Sequence, residues 1–293
     1  MVAVIPEWLK ELYPWTGKRL SVSGGEMHYL DEGSQDLPVL LAVHGNPTWS
    51  FYWRRLIDSF SSHYRVVIPD HIGCGLSDKP QDWDYLLGDH IDNLCTLVEH
   101  LNLKNIHLMV HDWGGAIGMG MAARLSDRIQ KLIITNTAAF RSQEIPLSIA
   151  SCRIPGFGAL AVRGFNAFAG VATWRASAVG LDPMVKRGLV FPYDSWQNRI
   201  ATLRFVEDIP LQESHPSYSV LCEVEKGLER FSSHPMIIFW GDDDFCFTPN
   251  FRQEWMARFP NAEVHAWADV GHYVMEDAPD RVLEILKPWL DVP

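Results

Sequence analysis

Short runs rich in Val, Ile and Leu alternate along the chain with longer stretches in which apolar residues recur every three to four positions. Compact apolar runs bounded by turn residues read as strands, and the longer period reads as helices with one packed face. This predicts strands in "MHYLDEG", "VLLAVHG", "RVVIPD", "IHLMVHD", "KLIITNT", "MIIFWGD" and "AEVHAWAD". Helices are expected at about Trp49 to Phe60, Asp89 to Leu101, Gly114 to Leu125, Asn250 to Phe259 and Arg281 to Leu290. In the third of these, Ile117, Met121 and Leu125 repeat at i, i+4 and i+8, giving one apolar stripe to lay on a sheet. The pattern as a whole is that of an α/β protein, a mostly parallel sheet with helices on both faces.

Between "KLIITNT" and "MIIFWGD" the strand pattern stops for roughly ninety residues, far beyond a typical connection of about 2 to 6. The expected organisation is therefore a core domain from residues 1–138 and 230–293, interrupted by an inserted helical cap over 139–229. The insertion is rich in aromatic residues (Phe157, Phe165, Phe168, Trp174, Phe191, Trp196, Phe205). That composition suits a lid over the carboxyl ends of the strands, where open α/β sheets bind ligands.

With 293 residues, 47% of them hydrophobic, the chain has enough material for a full core. Its formal net charge of -11, without a lysine or arginine cluster, argues against a nucleic-acid partner. The five cysteines (Cys74, Cys95, Cys152, Cys222, Cys246) are scattered and odd in number. They lack any C-x-x-C pair, which fits buried thiols in a reducing compartment better than disulfides or a zinc site. "MVAVIPEWLKELYPW" has no basic start before a continuous apolar core, so a cytoplasmic location is expected rather than secretion. No run reaches the roughly 20 apolar residues of an integral membrane segment.

Candidate chemistry begins at "VHDWGG", where a strand runs directly into a helix and a serine nucleophile often stands in the pattern G-x-S-x-G. Here the residue is Asp112. The first turn of the helix aims free N–H groups at its carboxylate, which favours the ionised form. An aspartate before Gly-Gly is also a common helix N-cap, and "GMGMAA" matches a dinucleotide loop only in mid-helix, away from a strand end. "HGNPTW" follows the strand "VLLAV" and can bring Asn46 to face Asp112. Trp113 offers an indole N–H donor. "WGDDDFCF" and "DVGHYVMEDAP" then supply an acid and His272, completing the chain order nucleophile, acid, histidine of α/β hydrolases.

"HGNPTWSFYWR", "VHDWGG", "NTAAF", "WGDDDFCF" and "GHYVMEDAPDRV" resemble the haloalkane dehalogenase family of α/β hydrolases over nearly the whole chain. In that family the elbow aspartate attacks, a histidine activates water, an acid orients the histidine and two side-chain donors hold the halide. By position the resemblance assigns these roles to Asp112, His272 and Asp244, with Asn46 and Trp113 as the halide donors. Asp244 stands four residues after Trp240, where the family pattern W-G-x-x-D puts the acid, leaving Asp242 and Asp243 as turn residues. Asn136 in place of a glutamate after "KLIIT" excludes the branch that keeps its acid there, so the chain looks most like the third subfamily, Asp-His-Asp with Asn-Trp. "PDHIGCGLSDKP", "FNAF" and "NRIATLRFVEDIPL" also resemble the β-lactone decarboxylases of long-chain olefin biosynthesis, which share the same five residues; Cys74 stands where a bulkier apolar residue is expected.

The chemistry explains the aspartate. A serine attacking a saturated carbon would leave an ether that a histidine base cannot hydrolyse, whereas a carboxylate leaves an ester that water activated by His272 can cleave. Backbone N–H groups of Trp113 and Asn46 then serve as an oxyanion hole. Haloalkane hydrolysis therefore ranks first among the expected activities, β-lactone decarboxylation close second, and epoxide hydrolysis third. An epoxide hydrolase needs lid acids, for which the insertion offers only Tyr193 and Tyr218. A non-catalytic scaffold is disfavoured by the complete set Asp112, Asp244 and His272. The expected ligand is a small hydrophobic haloalkane or β-lactone, with halide as a released ion; no metal or organic cofactor is implied, and a homo-oligomer is compatible with this reading.

Overall fold

The computed structural model describes residues 5–291. Eight strands form one sheet: β1 (Lys18–Val22), β2 (Gly25–Glu32), β3 (Val39–Val43), β4 (Arg65–Pro69), β5 (Ile106–Asp112), β6 (Ile129–Thr137), β7 (Met236–Gly241) and β8 (Glu263–Trp267). Their spatial order is β1-β2-β4-β3-β5-β6-β7-β8, antiparallel at β1/β2 and β2/β4 and parallel elsewhere. From β3 the chain passes to β4 on one side and then to β5 on the other. This reversal leaves a crevice between the carboxyl ends of β3 and β5, the switch point at which such sheets hold ligands.

Strands β3, β4, β5 and β7 are buried along their whole length, which is why they read as largely apolar runs. Alternate residues feed opposite cores: Leu41, Val43, Leu108 and Val110 pack on one side of the sheet, Leu40, Ala42 and Met109 on the other. Each of these Leu, Val and Met side chains, fully buried, contributes about 1.5–3 kcal/mol.

Before the long insertion lie α1 (Glu7–Lys10), α2 (Arg54–Phe60), α3 (Leu87–His100) and α4 (Trp113–Arg124). Between β6 and β7 come α5 (Leu147–Cys152), α6 (Phe157–Ala159), a π-helical turn (Leu160–Gly164), α7 (Ala167–Arg175), α8 (Pro183–Val190), α9 (Ile200–Glu207) and α10 (Tyr218–Gly227), with 3-10 turns among them and no strand. The last three helices are α11 (Pro249–Arg258), α12 (Val274–Asp277) and α13 (Pro279–Leu290).

Three details depart from the sequence reading. "KRLSV" forms β1, an edge strand whose charged, half-exposed pattern hides it. The helix expected from Trp49 opens as a 3-10 turn, Ser50–Trp53, before α2. Helix α4 carries no single stripe: Ile117 and Met121 are buried, Leu125 only half so, and every residue from Gly114 to Ala122 is buried. It is enclosed by the sheet on one side and by α3 and α10 on the other. All five cysteines are free, and only Cys74 is fully buried.

Candidate active site

Asp112 is the last residue of β5 and the residue before α4, and this junction sets its backbone at φ 53° and ψ -129°. A non-glycine residue there is strained, and the strain turns the side chain out of the sheet into the crevice. The turn tolerates little bulk: a Cβ on Gly114 would collide with the carbonyl of Val43, and one on Gly45 with the Asp112 carboxylate itself.

The Asn46 backbone N–H donates to Asp112 Oδ1 at 2.6 Å, and the Trp113 N–H also bonds the carboxylate. His272 Nε2 lies 3.7 Å from Asp112 Oδ2, and on the other edge of the ring Nδ1 donates to Asp244 Oδ2 at 2.7 Å. Asp244 is itself held: the Cys246 N–H donates to Oδ1 at 2.6 Å and the Asn136 side-chain amide to Oδ2 at 2.9 Å. The Phe247 ring stacks on the imidazole at 5.8 Å and 15°. Asp112, His272 and Asp244 thus form a continuous line. Asp243 is exposed, and Asp242 is turned away into an ion pair with Arg252.

Burial raises the Asp112 carboxyl above its ordinary range, and the charge of His272 with the two backbone N–H groups offsets only part of this. The Trp113 N–H at the helix terminus favours the ionised form, as expected, but in so dry a position desolvation outweighs the local donors. For His272 the balance goes the other way. Burial would lower it, but the adjacent Asp244 carboxylate, by charge and hydrogen bond, and then Asp112, raise it, so the imidazolium is favoured. His111, whose Nε2 reaches the His272 carbonyl at 2.9 Å, is held neutral by burial and by the neighbouring His272.

Asn136 is a functional neighbour that the sequence reading used only as a missing glutamate. At φ 29°, it exchanges hydrogen bonds with the N–H and carbonyl of Gly241, at 2.8 and 2.9 Å, and so fixes the amide that holds Asp244. The signal available was an asparagine at a strand end, a residue type that tolerates positive φ. Asn46 also differs from expectation in part: its backbone, not its side chain, faces Asp112, while Nδ2 donates to the Thr202 carbonyl of α9 at 3.2 Å. Trp113 packs its ring on Phe205 of the same helix at 5.3 Å.

Two cavities meet at Asp112. One, of about 130 Å³, runs between Leu87, Phe140, Val206, Pro210, Leu221 and Phe251 and has Trp113 in its wall. The other, of about 260 Å³, runs beneath Phe157, Ala161 and Val171 to Phe245, Tyr273 and His272. Asn46, Asp112, Ile149, Phe168 and Cys246 bound both. Cys74 lines neither. Among the described residues no group of three or more His, Cys, Asp or Glu is placed to hold a metal ion, and no helix is long and apolar enough to cross a membrane.

Residues 38–279 match the family model of the alpha/beta hydrolase fold. The chain belongs to the α/β hydrolases. Among members of that family it is similar to the cis-3-alkyl-4-alkyloxetan-2-one decarboxylase of Shewanella oneidensis, 45% identical over 96% of this chain and 90% of the relative. Similar again is the enzyme of the same name from Xanthomonas campestris, at 41% over 95% and 97%. Haloalkane dehalogenase 2 of Mycobacterium bovis is more distant, 30% identical over 93% of this chain and 94% of its own. A solved α/β hydrolase, the haloalkane dehalogenase of Bradyrhizobium elkani, superposes with a TM-score of 0.86 at 25% identity, covering 94% of this chain and 97% of that one.

Proposed function

We propose that this α/β hydrolase opens and decarboxylates β-lactones with an alkyl group on each of two ring carbons, the cis-3-alkyl-4-alkyloxetan-2-ones for which two of its relatives are named. The observation that carries this reading is the pair of apolar cavities meeting at Asp112. A haloalkane reacting at its end needs one arm; a ring bearing one chain on C3 and another on C4 needs two. Residues 139–229 serve as the cap that roofs both arms.

In this reading a carboxylate oxygen of Asp112 attacks C4, forming an ester bond as the bond from C4 to the ring oxygen breaks, and the electron pair passes to the ring carboxylate. The bond from C3 to that carboxylate then breaks to release carbon dioxide. Its pair becomes the C3–C4 double bond, and the ester pair returns to Asp112. No water is consumed and no net proton moves. Attack inverts C4 and leaves the Asp112 oxygen anti to the departing carboxylate, so a cis lactone gives a cis alkene without bond rotation. His272, whose hold on a proton Asp244 strengthens, stabilises the ring carboxylate as it forms, and the dry apolar walls favour its loss as carbon dioxide.

Haloalkane hydrolysis is the second reading. It is favoured by Trp113, which stands in the cavity wall and whose indole N–H is a donor that a leaving halide can meet. Asp112 would then form an alkyl ester, which His272 as base would open with water. An epoxide hydrolase is not supported: Tyr193 and Tyr218 line neither cavity, and the Tyr193 hydroxyl donates to the Thr48 carbonyl at 3.3 Å. The purified protein should be given a cis-dialkyl β-lactone and a bromoalkane separately, with alkene, carbon dioxide and bromide assayed. Alkene formation should exceed bromide release by about 10²-fold or more in kcat/KM. Bromide without alkene would transfer the assignment to the second reading.

A further inference from the structure

Among the described residues, every large apolar side chain that is exposed, Met256 excepted, falls between residues 147 and 196. Leu147 is 88% exposed, Trp174 78% and Phe165 77%, with Phe157, Leu160 and Val171 each above half. They lie on α5, α6, the π-helical turn and α7, with Phe165 at the junction of the last two, and these elements pack as neighbours. A soluble surface rarely leaves so much apolar area together unless something apolar meets it.

The charge around these residues indicates what that is. Within residues 147–199 the six cations Arg153, Arg163, Arg175, Lys186, Arg187 and Arg199 outnumber the two anions Asp182 and Asp194, in a chain whose net charge is -11; from outside that stretch Glu207 acts on Arg153 and Arg163, and Asp208 on Arg153. Among the described residues none of the six is in an ion pair. The Lys186 ammonium sits 4.6 Å from the Trp174 ring, and Arg163 lies 4.6 Å over Trp196. A ring with a cation beside it matches a lipid boundary, where the ring enters the acyl edge and the cation meets phosphate. Phe157 and Val171, both exposed, also form walls of the larger cavity, so the apolar face coincides with the mouth of one arm leading to Asp112.

We infer that the face built by α5, α6 and α7 docks on an anionic lipid bilayer, and that long-chain substrates pass from the bilayer into the larger cavity without crossing water. The delivery step rests on the lactone reading above; the docking does not. Vesicle flotation reads docking without any turnover. The protein should float with vesicles containing phosphatidylglycerol, much less with phosphatidylcholine alone, and less as salt rises. Phe165→Ser/Trp174→Ser should weaken flotation at least about tenfold and Lys186→Gln about fivefold. All variants should melt as the parent does and turn over a short-chain lactone dispersed without lipid at the parental rate. Equal flotation with both vesicle types, or flotation unaffected by the double substitution, would overturn the inference. So would absence of flotation, and if the parent then forms a dimer that the double variant abolishes, the face belongs to a second copy of the chain. In each case a positive lactone assay leaves the chemistry standing.

Discussion

At the strand ends the two carboxylates and the imidazole of the candidate site each have fixed partners. Asp112 receives backbone N–H groups, His272 is gripped by Asp244, and Asp244 is held in turn by Cys246 and Asn136. The helices between β6 and β7 are built differently: apart from Ser148, Ser151 and Cys152 they line the cavities with apolar side chains, and outside the site this segment leaves Leu147, Phe165 and Trp174 in solvent. Buried ionisable groups survive only when each is paired, so the floor admits few alternatives. Apolar walls are non-directional and can be reshaped one side chain at a time. Both readings proposed above use these strand-end residues, and they differ in what they ask of the cavity walls.

The comparison breaks first at Asp112. Asp112→Ala should lower turnover of lactone and bromoalkane alike by at least about 10⁴-fold while circular dichroism stays native; substantial activity in the folded variant would remove it as nucleophile. His272→Ala separates the two reactions. With a bromoalkane it should release one bromide per site and stall, with the alkyl mass mapped to Asp112. With the lactone it should keep cycling, slowed by about 10- to 10²-fold, because that route needs charge from His272 and no water. Identical stalling with both substrates would make the lactone route hydrolytic.

The roof is probed by filling one arm at a time. Leu221→Trp in the smaller cavity and Val171→Trp in the larger should each cost about tenfold in kcat/KM for lactones with two long chains, and little for short ones. If neither substitution discriminates by chain length, the substrate does not use both arms. The smallest effect is on stability. Burial raises the Asp208 carboxyl to about 7, although the Ser217 hydroxyl and the Leu87 N–H donate to it. In the unfolded chain this group titrates near 3.9. The native state therefore binds the extra proton between these values, and stability falls as pH rises through that window. Asp208→Asn should flatten this part of a Tm-against-pH curve; an unchanged slope would place the titration elsewhere.

Much of the floor was legible because parallel strands, covered on both faces, leave largely apolar runs, and because Asp112 ends one such strand and Asn46 and Asp244 follow two others within three residues. β1 was not, since a charged edge strand bonded to one neighbour has no such signature. Asn136 was not recognised as a partner of Asp244 because the contact joins residues 108 positions apart. Nor could periodicity reveal that α4 is enclosed on all sides, as the stripe facing the sheet and the face meeting α3 and α10 are both apolar.

The residues and their order along the chain were thus enough for the α/β hydrolase fold, the strand-end positions of Asp112, Asp244 and His272, and the helical nature of the insertion, because hydrophobic period, turn chemistry and motif order are local. Only the folded chain decided the rest: the raised carboxyl of Asp112, the two arms that diverge from it, and the apolar, basic face at the mouth of one of them. Burial, cavity shape and exposure depend on which distant side chains come to share a boundary, and no stretch of sequence contains both sides of that boundary.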